Sequence, residues 1–254
     1  MSLKDFRTYF GEIIICKLNP TYMHDSIRYK SGRHKSGYFS MQVNTPGQYI
    51  ISIYQENKRQ MLLKYSNYTY SEARVIVLKR EGNKMRYIGS RSTSQSQVCS
   101  ADLELEEGEY IISAKVVWKF YDSHELVLTS YGTDHAQIVP INRNIAPQFK
   151  EQMIQSYSRM HEGSGKVKNY EKYGFNATCE TNFNLETGIG FVRMVNKSNK
   201  GFDSIQQYEC KGIKVIKPDH FPLEFKMAAN SEKTYGFFVS PSGFEYSNTE
   251  KIKY

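Results

Sequence analysis

The sequence predicts a mainly β protein: two antiparallel β-sandwich domains joined by a short helical segment. Three observations predict it. The first 140 residues carry short β-branched and aromatic runs at regular spacing, each closed by turn residues. One later segment has apolar residues at helical spacing and ends in Gly163-Ser164-Gly165. A second series of short strand-like runs follows it.

The elements come in this order. Residues 12–16 read Glu-Ile-Ile-Ile-Cys, an apolar run closed by Asn19-Pro20. Residues 37–43 alternate in polarity and end at the Thr45-Pro46-Gly47 turn. Residues 48–55, Gln-Tyr-Ile-Ile-Ser-Ile-Tyr-Gln, suit a pleated, half-buried surface. Residues 74–79, Arg-Val-Ile-Val-Leu-Lys, form the next strand, and 86–88 a weaker one. The Glu107-Gly108 turn leads into 110–118, and the polar Asp122-Ser123-His124 precedes a strand at 125–131. No helical pattern interrupts this series, which is the signature of a sandwich.

In residues 147–160, Phe149, Met153, Ile154, Tyr157 and Met160 share one helical face, and Pro147 suits the first turn. That face packs on its own chain or binds a partner; Phe149, Met153 and Tyr157 are the partner-helix candidates. Strands resume at 189–195, 204–211, 213–216, 223–227 and 234–239, with 175–183 polar and 248–254 read as a frayed end. The expected division is 1–140, first sandwich; 141–170, helical linker; and 171–254, second small sandwich.

The balance of charge is +8, and the chain holds 20 tyrosines. A basic surface attracts acidic protein, anionic lipid or nucleic acid. The densest basic cluster runs from Arg28 to Lys35 and reads as a solvated loop, so Arg28, Lys30, Arg33 and Lys35 are the binding-loop candidates. The cysteines, Cys16, Cys99, Cys179 and Cys210, are far apart and read as buried reduced thiols. The amino terminus lacks an apolar signal segment, and no run approaches the about 18 apolar residues of a membrane helix, so an intracellular, cytoplasmic protein is expected.

Several stretches resemble the C2-like domain III of the calpain family. Asp5-Phe6 followed by Ile13-Ile14-Ile15-Cys16 is similar to the end of a calpain core entering its first sandwich strand, with Leu3 where that family has Trp. Gly37 to Asn44, Ile51 to Gln55 with Arg59 behind it, and Leu105-Glu106-Glu107-Gly108-Glu109-Tyr110 are similar to later strands of that domain. The likeness covers residues 5–133. In the second half, Gly190-Phe191, Val195-Asn196-Lys197-Ser198 and Ile213 to Ile216 resemble a tail domain of protist, notably ciliate, calpain-like proteins.

The resemblance implies a calpain-like chain without the protease core. A thiol protease needs a cysteine beside a histidine that an asparagine orients. In calpains these lie in Gly-Asp-Cys-Trp, Gly-His-Ala-Tyr and Asn-Pro-Trp-Gly. None of the four cysteines has that context, and Asp134-His135-Ala136-Gln137 matches His-Ala alone. Calcium takes six to eight oxygens, and Asp102, Glu104, Glu106, Glu107 and Glu109 read as a solvated strand edge and turn, with Glu104 and Glu106 on the outer face. Asp122, His124 and Glu125 are too few. No metal or other cofactor is therefore expected, and no catalytic residue.

The expected function is a non-catalytic binding or scaffold protein docking into a larger assembly. The resemblance to ciliate proteins points to a cytoskeletal or axonemal setting with microtubules as the acidic partner. The alternatives are a module for anionic phospholipid surfaces and a regulatory companion of an active calpain. No nucleic-acid partner is expected.

Overall fold

The computed structural model describes residues 19–142, 144–217 and 221–253, which form four antiparallel sheets. The expected strand at 12–16, the Asp5-Phe6 seam and Cys16 lie outside these residues. The first part of the chain gives β1 (Met23–Gly32), β2 (Gly37–Val43), β3 (Gly47–Tyr54), helix α1 (Lys58–Leu62), β4 (Glu72–Glu81), β5 (Lys84–Thr93), β6 (Val98–Leu105), β7 (Gly108–Val117), β8 (Ser123–Gly132) and β9 (Ile138–Pro140). Helix α2 (Ala146–Met160) follows. Then come β10 (Lys166–Asn169), β11 (Ala177–Asn184), β12 (Ile189–Asn196), β13 (Phe202–Lys211), β14 (Ile213–Lys217), β15 (Leu223–Met227), β16 (Ser231–Val239) and β17 (Glu245–Lys253).

Two sheets, in the orders β1-β8-β3-β6 and β5-β4-β7-β2-β9, enclose the first core. Tyr49, Ile51, Ile53, Leu126 and Leu128 come from one side, and Phe39, Met41, Val75, Val77 and Ile112 from the other. Trp118 is buried at one end, its indole N–H donating to the Ser31 carbonyl and hydroxyl at 3.1 Å each. The sheets β10-β11-β12-β16-β14 and β15-β13-β17 enclose a second core around Val192, Met194, Phe225 and Phe237. The mainly β, double-sandwich class read from the sequence is the observed one.

A third apolar cluster joins them. Val75 and Val77 of β4 point into the first core, while Ile76 and Leu78 point out and meet α2. Phe191 of β12 likewise turns away from the second core. Between these outer faces lie Phe149, Met153, Ile154 and Tyr157 of α2, all buried. Each such side chain contributes about 1.5–3 kcal/mol of burial. Gly236 permits the contact, since a Cβ there would lie 2.2 Å from Ile154 Cγ1.

Several expectations need correction. Phe149, Met153 and Tyr157 are not a partner-binding face: at 1%, 0% and 0% exposure they are the seal between the sandwiches. Met160, expected on the same face, is 52% exposed. The basic loop at 28–35 is in part a strand. Arg28 and Lys30 stand on β1, which pairs with β8 over its full length, while Arg33 and Lys35 lie in the turn beyond. The four outward residues His24, Ser26, Arg28 and Lys30 are polar, as suits an edge strand, and they hid the alternation. Residues 166–169, assigned to the linker, are β10. Residues 248–254 are not a frayed end up to 253, because β17 pairs with β13 from Glu245 to Lys253. Only the acidic end of β6, around Glu104, is expected from the sequence, and helix α1 is not expected at all.

Candidate functional site

The seam between the sandwiches is held on one side by direct polar contacts. The Ser92 N–H donates to the Glu186 carbonyl at 2.7 Å, Ser90 Oγ donates to the Thr187 carbonyl at 3.0 Å, and Arg91 pairs with Glu186. Gly188 closes the 184–188 turn with φ +68°, and a Cβ there would lie 2.5 Å from Arg74 Nε. This close approach seats Arg74 against the second sandwich, where its Nη2 donates to the Val239 carbonyl at 2.7 Å.

Alongside, the seam opens into a basic cleft. In the β4–β7 register Arg74 stands opposite Lys115, and in the β4–β5 register opposite Ser92. The second sandwich supplies Phe238 from β16 and, paired with it, Lys214 from β14. The Arg74 guanidinium carbon lies 4.5 Å from the Phe238 ring centroid and Lys115 Nζ lies 5.9 Å from it, both over the ring. A cavity of about 330 Å³ opens here, lined also by His34, Glu72 and Ser240. A neighbouring hollow of about 570 Å³ shares His34, Lys115, Lys214 and Phe238 and adds Lys35 and Lys150.

The electrostatics are one-sided. Glu72 is the only carboxylate lining either hollow among the described residues, and its Oε1 accepts from Ser240 Oγ at 2.7 Å and Ser242 Oγ at 3.1 Å. Burial, then the neighbouring cations Arg74, Lys214 and Lys150, push the Lys115 ammonium down to about 8, with Glu72 opposing. Burial pushes the Arg74 guanidinium down to about 10. Such a site draws in an anion and does so more strongly than separate surface lysines, because partial burial raises the local potential.

The sequence-predicted residues lie elsewhere, except Lys35 at the edge of the wider hollow. Arg28 and Lys30 are exposed on the outer face of β1. Arg33 is occupied: its Nε donates to the Trp118 carbonyl at 2.7 Å and its Nη2 to the Lys119 carbonyl at 3.0 Å, which pins the turn after β7. Glu106 is not on a strand face, since β6 ends at Leu105 and Glu106 binds Lys79 Nζ at 2.7 Å in the turn. His124 stacks on Tyr121 and meets Glu56 Oε2 at 2.9 Å, and exposed His135 faces Asp25 Oδ2 at 3.2 Å. Among the described residues no three or more His, Cys, Asp or Glu are grouped to hold a metal ion, and no helix is long and apolar enough to cross a membrane.

Sequence reasoning missed Arg74, Lys115, Lys150 and Lys214. One signal was present: Lys115 interrupts the apolar run of β7, a charge inside a strand with few polar positions.

No protein-family model matches the chain, and no curated protein matches it. Among solved structures, a β-galacturonidase from Eisenbergiella tayi bound to galacturonate aligns at 10% identity over 94% of this chain and 31% of its own, with a TM-score of 0.16. An oxalate decarboxylase aligns at 9% identity over 92% and 66%, with a TM-score of 0.22. This chain thus spans about a third of the galacturonidase. Superpositions at this level do not define a common fold.

Proposed function

We propose that this chain is a non-catalytic, calpain-like binding protein that receives an acidic surface of a partner in the cleft between its sandwiches, as part of a larger cytoskeletal or axonemal assembly. The observation that carries the reading is the cluster of Arg74, Lys115, Lys150 and Lys214 around one carboxylate that is already hydrogen-bonded. Thiol chemistry fits poorly beside it. Burial pushes Cys99 up to about 12 and Cys179 up to about 11, the opposite direction from a nucleophilic thiolate.

Co-sedimentation with microtubules, whose surface is acidic, tests the reading. Binding is expected at low salt and should weaken as salt screens it. Lys115→Glu with Lys214→Glu should abolish it. Equal pelleting of the charge-reversed protein would overturn the proposal.

A second reading, docking on anionic phospholipid, is favoured by a different place. Leu62 and Leu63, at the end of α1, are 41% and 90% exposed. Exposed Lys58, Arg59 and Lys64 flank them. An apolar tip within a basic ring suits a lipid interface. Flotation with phosphatidylserine vesicles, lost in Leu62→Ser with Leu63→Ser, would support this reading over the first.

A further inference from the structure

We infer that the seam cleft is a binding site for a phosphate monoester dianion, held between Arg74, Lys115 and Lys214 beside the Phe238 ring. This rests on the binding-protein reading above and names the group the cleft takes.

The placement of the cations carries the inference. Arg74 and Lys115 are direct cross-strand partners. Like charges in that position are destabilising, and an acid at either position would relieve them. No ion pair joins Arg74, Lys115, Lys150 or Lys214 to a carboxylate among the described residues. Glu72, the nearest candidate, is taken by Ser240 and Ser242. Glu72 offsets part of the charge on Arg74 and Lys115 but pairs directly with neither. The fold therefore keeps a net positive site half-shielded from water, a cost that a bound anion reduces.

The number of charges selects the anion. Arg74, Lys115 and Lys214 less Glu72 leave about two positive charges, so a carboxylate or a phosphodiester, with one negative charge, leaves half of the site unbalanced. A phosphate monoester carries nearly two at neutral pH, with three strong acceptor oxygens. Those oxygens suit a guanidinium fork together with two ammonium groups. Arg74 is prepared for this role: Nη2 is tied to the Val239 carbonyl and the guanidinium is stacked on Phe238, while Nη1 makes no hydrogen bond to a described residue. The cavity, about 330 Å³, is of a size that takes a small ligand or one modified side chain.

A pH signature follows from the surroundings of Lys115. It is faced by Arg74 and Glu72 from β4, Lys214 from β14, Lys150 from α2, the Phe238 ring from β16 and His34 from the β1–β2 turn. Burial, and then the cations, hold its ammonium down to about 8, and a dianion pulls it back up. Binding then takes up a proton near that pH, and affinity falls as pH rises through it.

Calorimetric titration of the full chain tests the inference with inorganic phosphate, a phosphoserine peptide, its unphosphorylated form and a glutamate-rich peptide. Saturable binding of phosphate and phosphopeptide is expected. Phosphopeptide binding should weaken about tenfold or more from pH 7.5 to 9.5, where the ester stays dianionic, and binding of both should weaken by a similar factor in Lys115→Met and Lys214→Met. Without ligand, Lys115→Met should melt at the same temperature or higher, because the charge facing Arg74 is gone. That combination separates a binding role from a structural one. A phosphopeptide much tighter than inorganic phosphate places the ester on a protein partner, whereas equal affinities point to a small phosphate. Absence of saturable binding by both, or unchanged binding in Lys115→Met, overturns the inference. Binding of the glutamate-rich peptide without phosphate binding overturns it too, while leaving the acidic-partner reading standing.

Discussion

The two sandwiches fill their interiors differently. The first core is almost wholly apolar, with Phe39, Met41, Ile51, Ile53, Val75 and Val77 all inaccessible to solvent. The second carries a polar network between its sheets. Its inward residues on β13 include Ser204 and Gln206, which are 0% and 1% exposed. Gln206 stands opposite Glu250 of β17. The Glu250 carboxylate, 5% exposed, accepts from Tyr170 Oη at 2.6 Å, Gln206 Nε2 at 3.3 Å, Ser204 Oγ and Lys168 Nζ. Tyr208 Oη donates to Gln206 Oε1 at 2.7 Å. The first sandwich is thus closed by burial of carbon. The second ties its outer strands, β10 and β17, through one shared carboxylate. A strand of polar composition can be interior when each polar group finds a partner.

Four measurements break or sharpen this contrast. The largest effect is expected from Phe39→Ala, which opens a cavity in the apolar core and should cost about 3–5 kcal/mol in urea unfolding, equally at pH 4 and 7. Glu250→Ala should cost somewhat less, about 2–4 kcal/mol, because it strands buried donors while Lys168 stays half in water. If the two losses were independent of pH alike, the contrast between the cores would fail.

A smaller effect is expected from acid on the native chain. Burial alone would raise the Glu250 carboxyl, but the bonds from Lys168, Ser204 and Tyr170 outweigh it and hold it below its usual range. A depressed carboxyl stabilises the fold above its unfolded value of about 4.5 and loses that contribution as pH falls through the folded value. Hydrogen exchange should therefore show β10 and β17 opening first below about pH 4, and Glu250→Gln should remove this pH dependence. The smallest effect is Lys30→Ala on exposed β1, within about 0.5 kcal/mol.

The elements that were legible in the sequence share a property. β4, β7 and β12 are buried on both faces, so their runs of Val, Ile and Phe stand out whatever the neighbouring strands do. Helix α2 shows its face through the spacing of Phe149, Met153 and Tyr157, although which surface covers that face is not written there. β1 and β17 carry few apolar residues and were read as loop and end. Their inward positions include Asp25 and Glu250, whose partners lie 110 or more residues away in one case and as far as 82 in the other. The Arg28 to Lys35 cluster is plain as a count of charges, yet the fold divides it between a strand face, a turn-pinning arginine and the rim of a hollow.

By itself, then, the sequence determined the β class, the two series of strands and the apolar face of α2, because periodicity reports which residues of one segment point the same way. The tertiary structure alone decided that this face is a seal, that Glu250 is interior, and that Arg74, Lys115 and Lys214 converge on Phe238. Those outcomes depend on what a distant strand places opposite, and no local pattern records the charge or the shape of a neighbour that arrives only when the sheets pack.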